Sequence, residues 1–114
     1  MTPFRVLLVV ILLTVVAYTV VVVANHGMGL LPIFFGDIAR MGWPGQFNLD
    51  FTGFLILSGL WLAWRHHFSP AGILLGVLGF FGGVPVLSTY LLIASFQAKG
   101  DVKVMLLGKV RAAA

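Results

Sequence analysis

The stretch NLDFTGFLILSGLWLAWRHH, Asn48–His67, has an apolar centre with polar or charged residues near both ends. A run of this length and hydropathy predicts a helix that crosses a membrane. Trp64 and Arg65 are residue types found at a membrane edge. At a rise of about 1.5 Å per residue, Asp50 lies roughly 21 Å from that edge. Its carboxylate is therefore expected just below the opposite surface of a ~30 Å apolar core.

The whole chain has the composition of a membrane protein. Of its 114 residues, 61% are hydrophobic and only 9% are charged, whereas a soluble domain has about 25% charged residues. The basic residues are too sparse for a nucleic-acid interface. They lie at the ends of apolar runs, where lipid headgroups are expected. The absence of cysteine excludes disulfide bonds and thiolate-ligated metals.

The hydropathy pattern predicts an all-α membrane protein with three transmembrane helices. The first apolar run, residues 4–24, is long enough to cross a membrane. No A-x-A cleavage site follows it, so we expect this run to be a retained span and not a cleaved signal peptide. Ser69 and Pro70 supply an N-cap and a first-turn proline for the third span. That span is longer than the core requires, and Pro85, after Gly82 and Gly83, is where we expect a bend. The expected single domain, 1–114, contains spans at 4–24, 47–64 and 70–97 and a surface tail at 98–114.

A short helix is predicted between the first and second spans, over residues 32–41. Its apolar residues recur at helical spacing, while Asp37 and Arg40 lie three apart on another face. Pro32 suits the first turn, and Gly42 with Pro44 is expected to end the helix. Such a helix is expected to lie in the membrane interface. The predicted interface anchors are Trp43, Trp61, Trp64 and Arg65.

A stripe of glycines is the clearest pattern in the third span. Gly72, Gly76, Gly79 and Gly83 recur at intervals of four, three and four, which places them on one side of a helix. In lipid, such a stripe allows another backbone to approach closely. We expect the groove to be filled by span one or span two of the same chain, or by a partner through association with another subunit or a second copy. The alternative is that glycine is simply common in membrane helices.

Asp50 is the one predicted carboxylate inside a span, and it has two interpretations. It is either a proton, cation or polar-ligand site, or a structural residue that fixes how spans two and three meet. The structural interpretation is favoured, because a nearby donor offsets the cost of burying the charge. The candidate polar contacts on the same side are His26, Arg40, Ser88, Thr89 and Tyr90.

The histidines do not form an evident cofactor site. His26 follows the first span and is a conceivable haem or pigment ligand, but His66 and His67 lie at the other membrane face. Adjacent residues also point in different directions on a helix, so this pair is expected in a wet loop. No metal and no cofactor are predicted. A nucleophile with a base and a pair of carboxylates are both missing, so no catalytic residue is predicted.

Three complete crossings would separate the basic residues unequally. The N-terminus and the second loop carry Arg5 and Arg65, whereas the first loop and the tail carry Arg40, Lys99, Lys103, Lys109 and Arg111. The excess of positive charge favours a cytoplasmic C-terminus, whereas Arg5, just before the first span, would by itself favour a cytoplasmic N-terminus. In a bacterium, the host membrane would be the cell inner membrane.

Two stretches resemble a family of small membrane proteins of unknown function that is found in bacteria and plants. They are LDFTGFLILSGLWLAWRH, Leu49–His66, and FFGGVPVLSTYLL, Phe80–Leu92, and the likeness extends over residues 13–108. Pro85 departs from the family pattern. The resemblance implies a three-span fold and supplies no activity.

The sequence predicts a non-catalytic membrane protein that acts as an accessory or scaffold subunit. In this interpretation, the glycine-lined helix face packs against a larger membrane complex. The alternative is a carrier or binding module for a small molecule, ion, lipid or pigment, with Asp50 as the polar contact. An enzyme ranks third.

Overall fold

The computed structural model describes residues 1–114 and contains helices without strands. Three of the helices are long and apolar enough to cross a membrane. The predicted all-α class, with three such helices and a short helix between the first and second, is confirmed. The helices are α1 (Thr2–His26), α2 (Leu30–Ala39), α3 (Trp43–Arg65), α4 (Pro70–Gln97), α5 (Val102–Leu107) and α6 (Lys109–Ala113).

Local capping signals decide where the helices begin. The Ser69 hydroxyl accepts a hydrogen bond from the Gly72 N–H and starts α4 at Pro70, as predicted. Gly42 is extended, and Pro44 lies in the first turn of α3, where its missing N–H has no cost. Pro44 therefore begins α3 instead of ending α2. For this reason α3 starts four residues before its predicted boundary.

The short helix α2 packs along the first turns of α3. Gly45 approaches the Asp37 carbonyl, and the Asn48 amide donates to the Phe34 carbonyl at 3.1 Å. This register makes the two helices antiparallel. Asp37 and Arg40 form the ion pair expected from their spacing, at 3.2 Å. The helix begins and ends two residues earlier than predicted.

Helix α4 folds back on itself at Gly83, where φ is 62° and ψ is −145°. A methyl group on Gly72 would lie 2.7 Å from the His66 Cβ, and the Tyr90 hydroxyl hydrogen-bonds to the same histidine. On a straight helix Gly72 and Tyr90 would be roughly 27 Å apart. The segment before Gly83, α4a, therefore runs antiparallel to α3, and the segment after it, α4b, returns beside α3.

Proline has a different place in this reversal from the one predicted. Pro85 lies in the first turn of α4b, where it leaves no hydrogen bond unmade. The break occurs two residues earlier because glycine adopts a positive φ that other residues resist. The tip of the hairpin touches α3, since Gly83 lies near Phe51 and Leu55.

The reversal brings both termini to one end of the molecule, here called the basic end. Gly100 lies beside Met1, and Gly108 lies beside Arg65. The tail therefore shares an end with the N-terminus and the second loop. The expected separation of the N-terminus from the tail is wrong, because it assumed that α4 crosses completely.

The hairpin fills only the basic half of the molecule. In α1, Leu8 is buried against the rest of the fold, whereas every residue from Val16 to His26 is exposed. We call this segment of α1 the open half. Helix α4 turns back at Gly83 and leaves no third long helix beside it.

Candidate functional site

Arg65, the last residue of α3, holds the tail to the basic end. Its Nε donates to the Met105 carbonyl at 2.8 Å and its Nη2 to the Val104 carbonyl at 3.3 Å. The Trp61 indole donates to the Leu106 carbonyl at 3.1 Å. The Met105 and Leu106 carbonyls lie in the last turn of α5, where helix carbonyls lack intrahelical partners, whereas the Val104 carbonyl also accepts from the Gly108 N–H. Arg65 and Trp61 thus cap α5 with side chains from another helix.

The same arginine organises a hydrogen-bonded chain with Tyr90 and His66. Its Nη1 donates to the Tyr90 hydroxyl at 2.6 Å, and that hydroxyl contacts His66 Nε2. Because the hydroxyl accepts from Arg65, its own proton is directed to His66 Nε2. Burial of the ring, followed by the nearby charges of Arg65 and His67, lowers the pKa of His66 in the loop after α3. A neutral His66 fits its role as acceptor.

We expect acid to weaken this cluster. The unfolded chain protonates His66 as the pH falls below its ordinary pKa of 6.5, whereas the folded chain resists protonation until a lower pH. This contribution to stability is full above 6.5 and is lost as the pH decreases. Thermal unfolding in detergent from about pH 7.5 to about pH 5.5 measures the effect. His66→Gln retains an acceptor for Tyr90 without titrating, so its profile should be flatter; identical profiles would exclude His66 as the cause.

Two further arginines, Arg5 and Arg111, bind the ends of other helices at the basic end. Arg5 Nε donates to the Ser95 hydroxyl at 3.0 Å and its Nη2 to the Ser95 carbonyl at 3.0 Å, and its guanidinium lies 3.9 Å from the centroid of the Phe96 ring. Arg111 lies 3.9 Å over the Trp64 ring and donates to the Trp64 carbonyl. Ser95 is completely buried. These contacts were not predicted, because they exist only when α4b returns to the start of α1.

Asp50 is exposed and has no hydrogen bond or ion pair within the protein. Arg40, one of its predicted contacts, pairs instead with Asp37. Tyr90 lies at the basic end, bound to Arg65. These side chains are not brought together with Asp50.

The remaining predicted contacts of Asp50 are also placed elsewhere. Ser88 donates to the Val84 carbonyl at 2.6 Å, and Thr89 donates to the Pro85 carbonyl at 2.7 Å. Both hydroxyls therefore serve their own helix. His26 is exposed at the end of α1. The structure assembles no polar site around Asp50.

The glycine stripe lies against α3 of the same chain. A methyl group on Gly76 would be 2.7 Å from the Gly59 carbonyl oxygen, and one on Gly59 would be 2.7 Å from the Gly76 carbonyl oxygen. Gly72 faces Ala63 and His66. Gly79 is likewise buried against α3, whereas Gly83 forms the reversal. Gly59, which the sequence stripe did not include, is the reciprocal half of the closest contact.

An apolar cavity of about 470 Å³ lies between α3 and α4b. Trp61 lines it and stacks edge-on with Tyr90, with ring centroids 5.8 Å apart. Trp43, another predicted anchor, is exposed at the start of α3. The other residues that line the cavity are Phe51, Phe54, Leu55, Leu57, Ser58, Gly83, Val84, Leu87 and Leu91.

The fold and these contacts define a multi-pass membrane protein of the all-α class. No protein family, curated protein or solved structure matches the chain. The resemblance to small membrane proteins of unknown function stays a prediction.

Proposed function

We propose that the protein is a non-catalytic accessory or scaffold subunit that packs beside another membrane helix at the open half of α1. The single observation that carries this proposal is the exposure of every residue from Val16 to His26. A helix in lipid gains stability when a neighbour packs against it. The basic half of α1 has such a neighbour in α4, and the open half does not.

The proposed docking surface differs from the predicted glycine face. Gly76 already contacts the backbone of Gly59, so the stripe is used within the chain. The partner helix would instead lie beside the open half of α1, in the space that a straight α4 would occupy beyond Gly83. The partner is a second copy of this chain or a helix of a larger membrane complex.

The charged residues support a structural role over a catalytic one. Arg5, Arg65 and Arg111 bind backbone carbonyls of other segments. Asp37 pairs with Arg40. Asp101, the third carboxylate beside Asp37 and Asp50, caps α5 by accepting from the N–H groups of Lys103 and Val104. These groups hold the fold together.

The proposal includes an orientation with both termini in the cytoplasm. All basic residues except Arg40 belong to the basic end, as Arg5, Arg65, Lys99, Lys103, Lys109 and Arg111. Cytoplasmic segments near spans are enriched in lysine and arginine. The expected cytoplasmic C-terminus is kept, and the N-terminus joins it.

The apolar cavity favours a second candidate function, a binding module for a lipid-like molecule. Its volume of about 470 Å³ falls in the range of small-molecule sites, about 300–1,000 Å³. The lining is apolar apart from Ser58 and the indole of Trp61. Asp50 does not line it, so the polar contact differs from the one predicted.

Site-directed photocrosslinking in native membranes tests both functions. The chain has no cysteine, so Val20→Cys places a benzophenone maleimide at the open half, where Val20 is 61% exposed. Leu74→Cys, at an exposed position of α4a, is the matched control in the half that is already filled. We expect a protein adduct from Val20 and much less from Leu74. An added mass of 12.3 kDa identifies a second copy, and a different mass identifies another subunit.

Equal protein crosslinking from the two positions would contradict the accessory role. Lipid adducts alone at Val20, with a lipid retained by the purified protein, would support the binding module instead.

A further inference from the structure

A second, polar cleft of about 300 Å³ opens at the basic end. It lies between the loop after α3, the end of α4b and the start of α6. Its polar and charged lining comprises Arg65, His66, His67, Gln97 and Lys109. Neither proposed function uses this cleft.

The cleft contains hydrogen-bond donors that the fold leaves free. His67, Gln97 and Lys109 have exposed side chains that form no hydrogen bond within the chain, and neither His67 nor Lys109 forms an ion pair. Arg65 contributes its charge at the wall, although its hydrogen bonds are directed to Tyr90 and the tail. Ammonium and guanidinium groups with a free amide suit the acceptor oxygens of a phosphate.

The local charge is not neutralised by the protein. Asp101 is the only acidic side chain of the basic end, and its Oδ1 accepts from the backbone N–H groups of Lys103 and Val104. It forms no salt bridge with Lys109 or Arg65. The cleft therefore keeps a positive charge and favours an anionic ligand.

We propose that this cleft binds the phosphate of an anionic phospholipid headgroup. The cleft opens at Arg65, the last residue of α3, directly after Trp64, a residue type that lies at headgroup level. Basic pockets at the cytoplasmic ends of membrane helices bind such headgroups. The inference rests on the proposed orientation, with the basic end in the cytoplasm, but it does not depend on a partner at the open half or on a ligand in the apolar cavity.

Native mass spectrometry of the full chain from equimolar phosphatidylglycerol and phosphatidylcholine nanodiscs tests the site. We expect the wild type to retain phosphatidylglycerol preferentially. Lys109→Gln should reduce that preference about fivefold, as expected for about 1 kcal/mol per cation near a membrane surface. Lys103→Gln removes an equal charge from the same end without altering the cleft lining, so it should reduce the preference less than Lys109→Gln does.

Three outcomes would overturn the proposal. The first is equal retention of the two lipids by the wild type. The second is an equal loss of the phosphatidylglycerol preference in Lys109→Gln and Lys103→Gln. The third is that inorganic phosphate removes this preference at concentrations too low to screen charge. The second would indicate general surface attraction, and the third a site for the free anion. Unchanged thermal unfolding of Lys109→Gln shows that the variant is folded. The crosslinking result at Val20 is independent of each outcome.

Discussion

Gly59→Ala is expected to lower the free energy of unfolding by about 1–3 kcal/mol, as overpacking does in other cores. A methyl group at this position would lie 2.7 Å from the backbone carbonyl of Gly76. Because the obstacle is backbone, α3 and α4a must separate along their whole contact. Reversible unfolding in mixed micelles, with denaturing detergent as the variable, measures the loss.

Gly53→Ala is the matched control on the same helix. No atom lies within 4 Å of a methyl group there, and alanine favours a helix over glycine by roughly 0.5–1 kcal/mol. We therefore expect this substitution to be neutral or stabilising. Equal destabilisation by the two substitutions would show that the Gly59–Gly76 contact does not hold the helices together.

Gly83→Ala is expected to destabilise the hairpin and to displace the tail. The backbone at Gly83, with φ 62° and ψ −145°, lies in a region that is essentially restricted to glycine, and such strain costs about 1–3 kcal/mol. A straight α4 avoids that strain but breaks the Arg65–Tyr90 contact. We expect lower stability and a fraction of molecules whose tail lies on the other side of the membrane.

The location of the tail can be measured with an impermeant maleimide. Thr2→Cys and Ala113→Cys mark the two ends of a chain that otherwise has no cysteine. In the parent chain both positions should react from the same side of the membrane. In Gly83→Ala part of the Ala113→Cys signal should move to the opposite side, and in Gly53→Ala it should not. Reaction from opposite sides in the parent would mean that α4 crosses completely.

The hydropathy pattern predicted the fold class, and local signals predicted where α4 begins. Ser69 and Pro70 specify the start of α4 through a cap and a first-turn proline, and both are visible in the sequence. The reversal is different, because a 28-residue apolar run has the same hydropathy whether it is straight or folded. Glycine permits a positive φ at position 83 but does not require it, and Pro85 is compatible with either a kink or a helix start.

The hydrogen-bonded cluster at the basic end exists only because α4 reverses, so the sequence did not predict it. Tyr90 was placed with Asp50 because a straight α4 carries it away from Arg65. Once α4b returns, Tyr90 meets Arg65 and His66, and Asp50 loses its expected contacts. The glycine stripe was visible at helical spacing. The helix that packs on the stripe could not be identified from the sequence, since the glycine spacing of one helix does not say which helix lies against it.

The fold-back at Gly83 also bears on how the chain is inserted. Helix α4 starts and finishes at the same end of the molecule, so in the proposed orientation, with both termini in the cytoplasm, the tail that follows it has no need to be translocated. Lys99, Lys103, Lys109 and Arg111 thus avoid a passage that costs about 2.5–3.5 kcal/mol for each such charge at the bilayer centre. A hairpin synthesised after α1 and α3 can enter the bilayer as one unit, while the cationic tail stays in water.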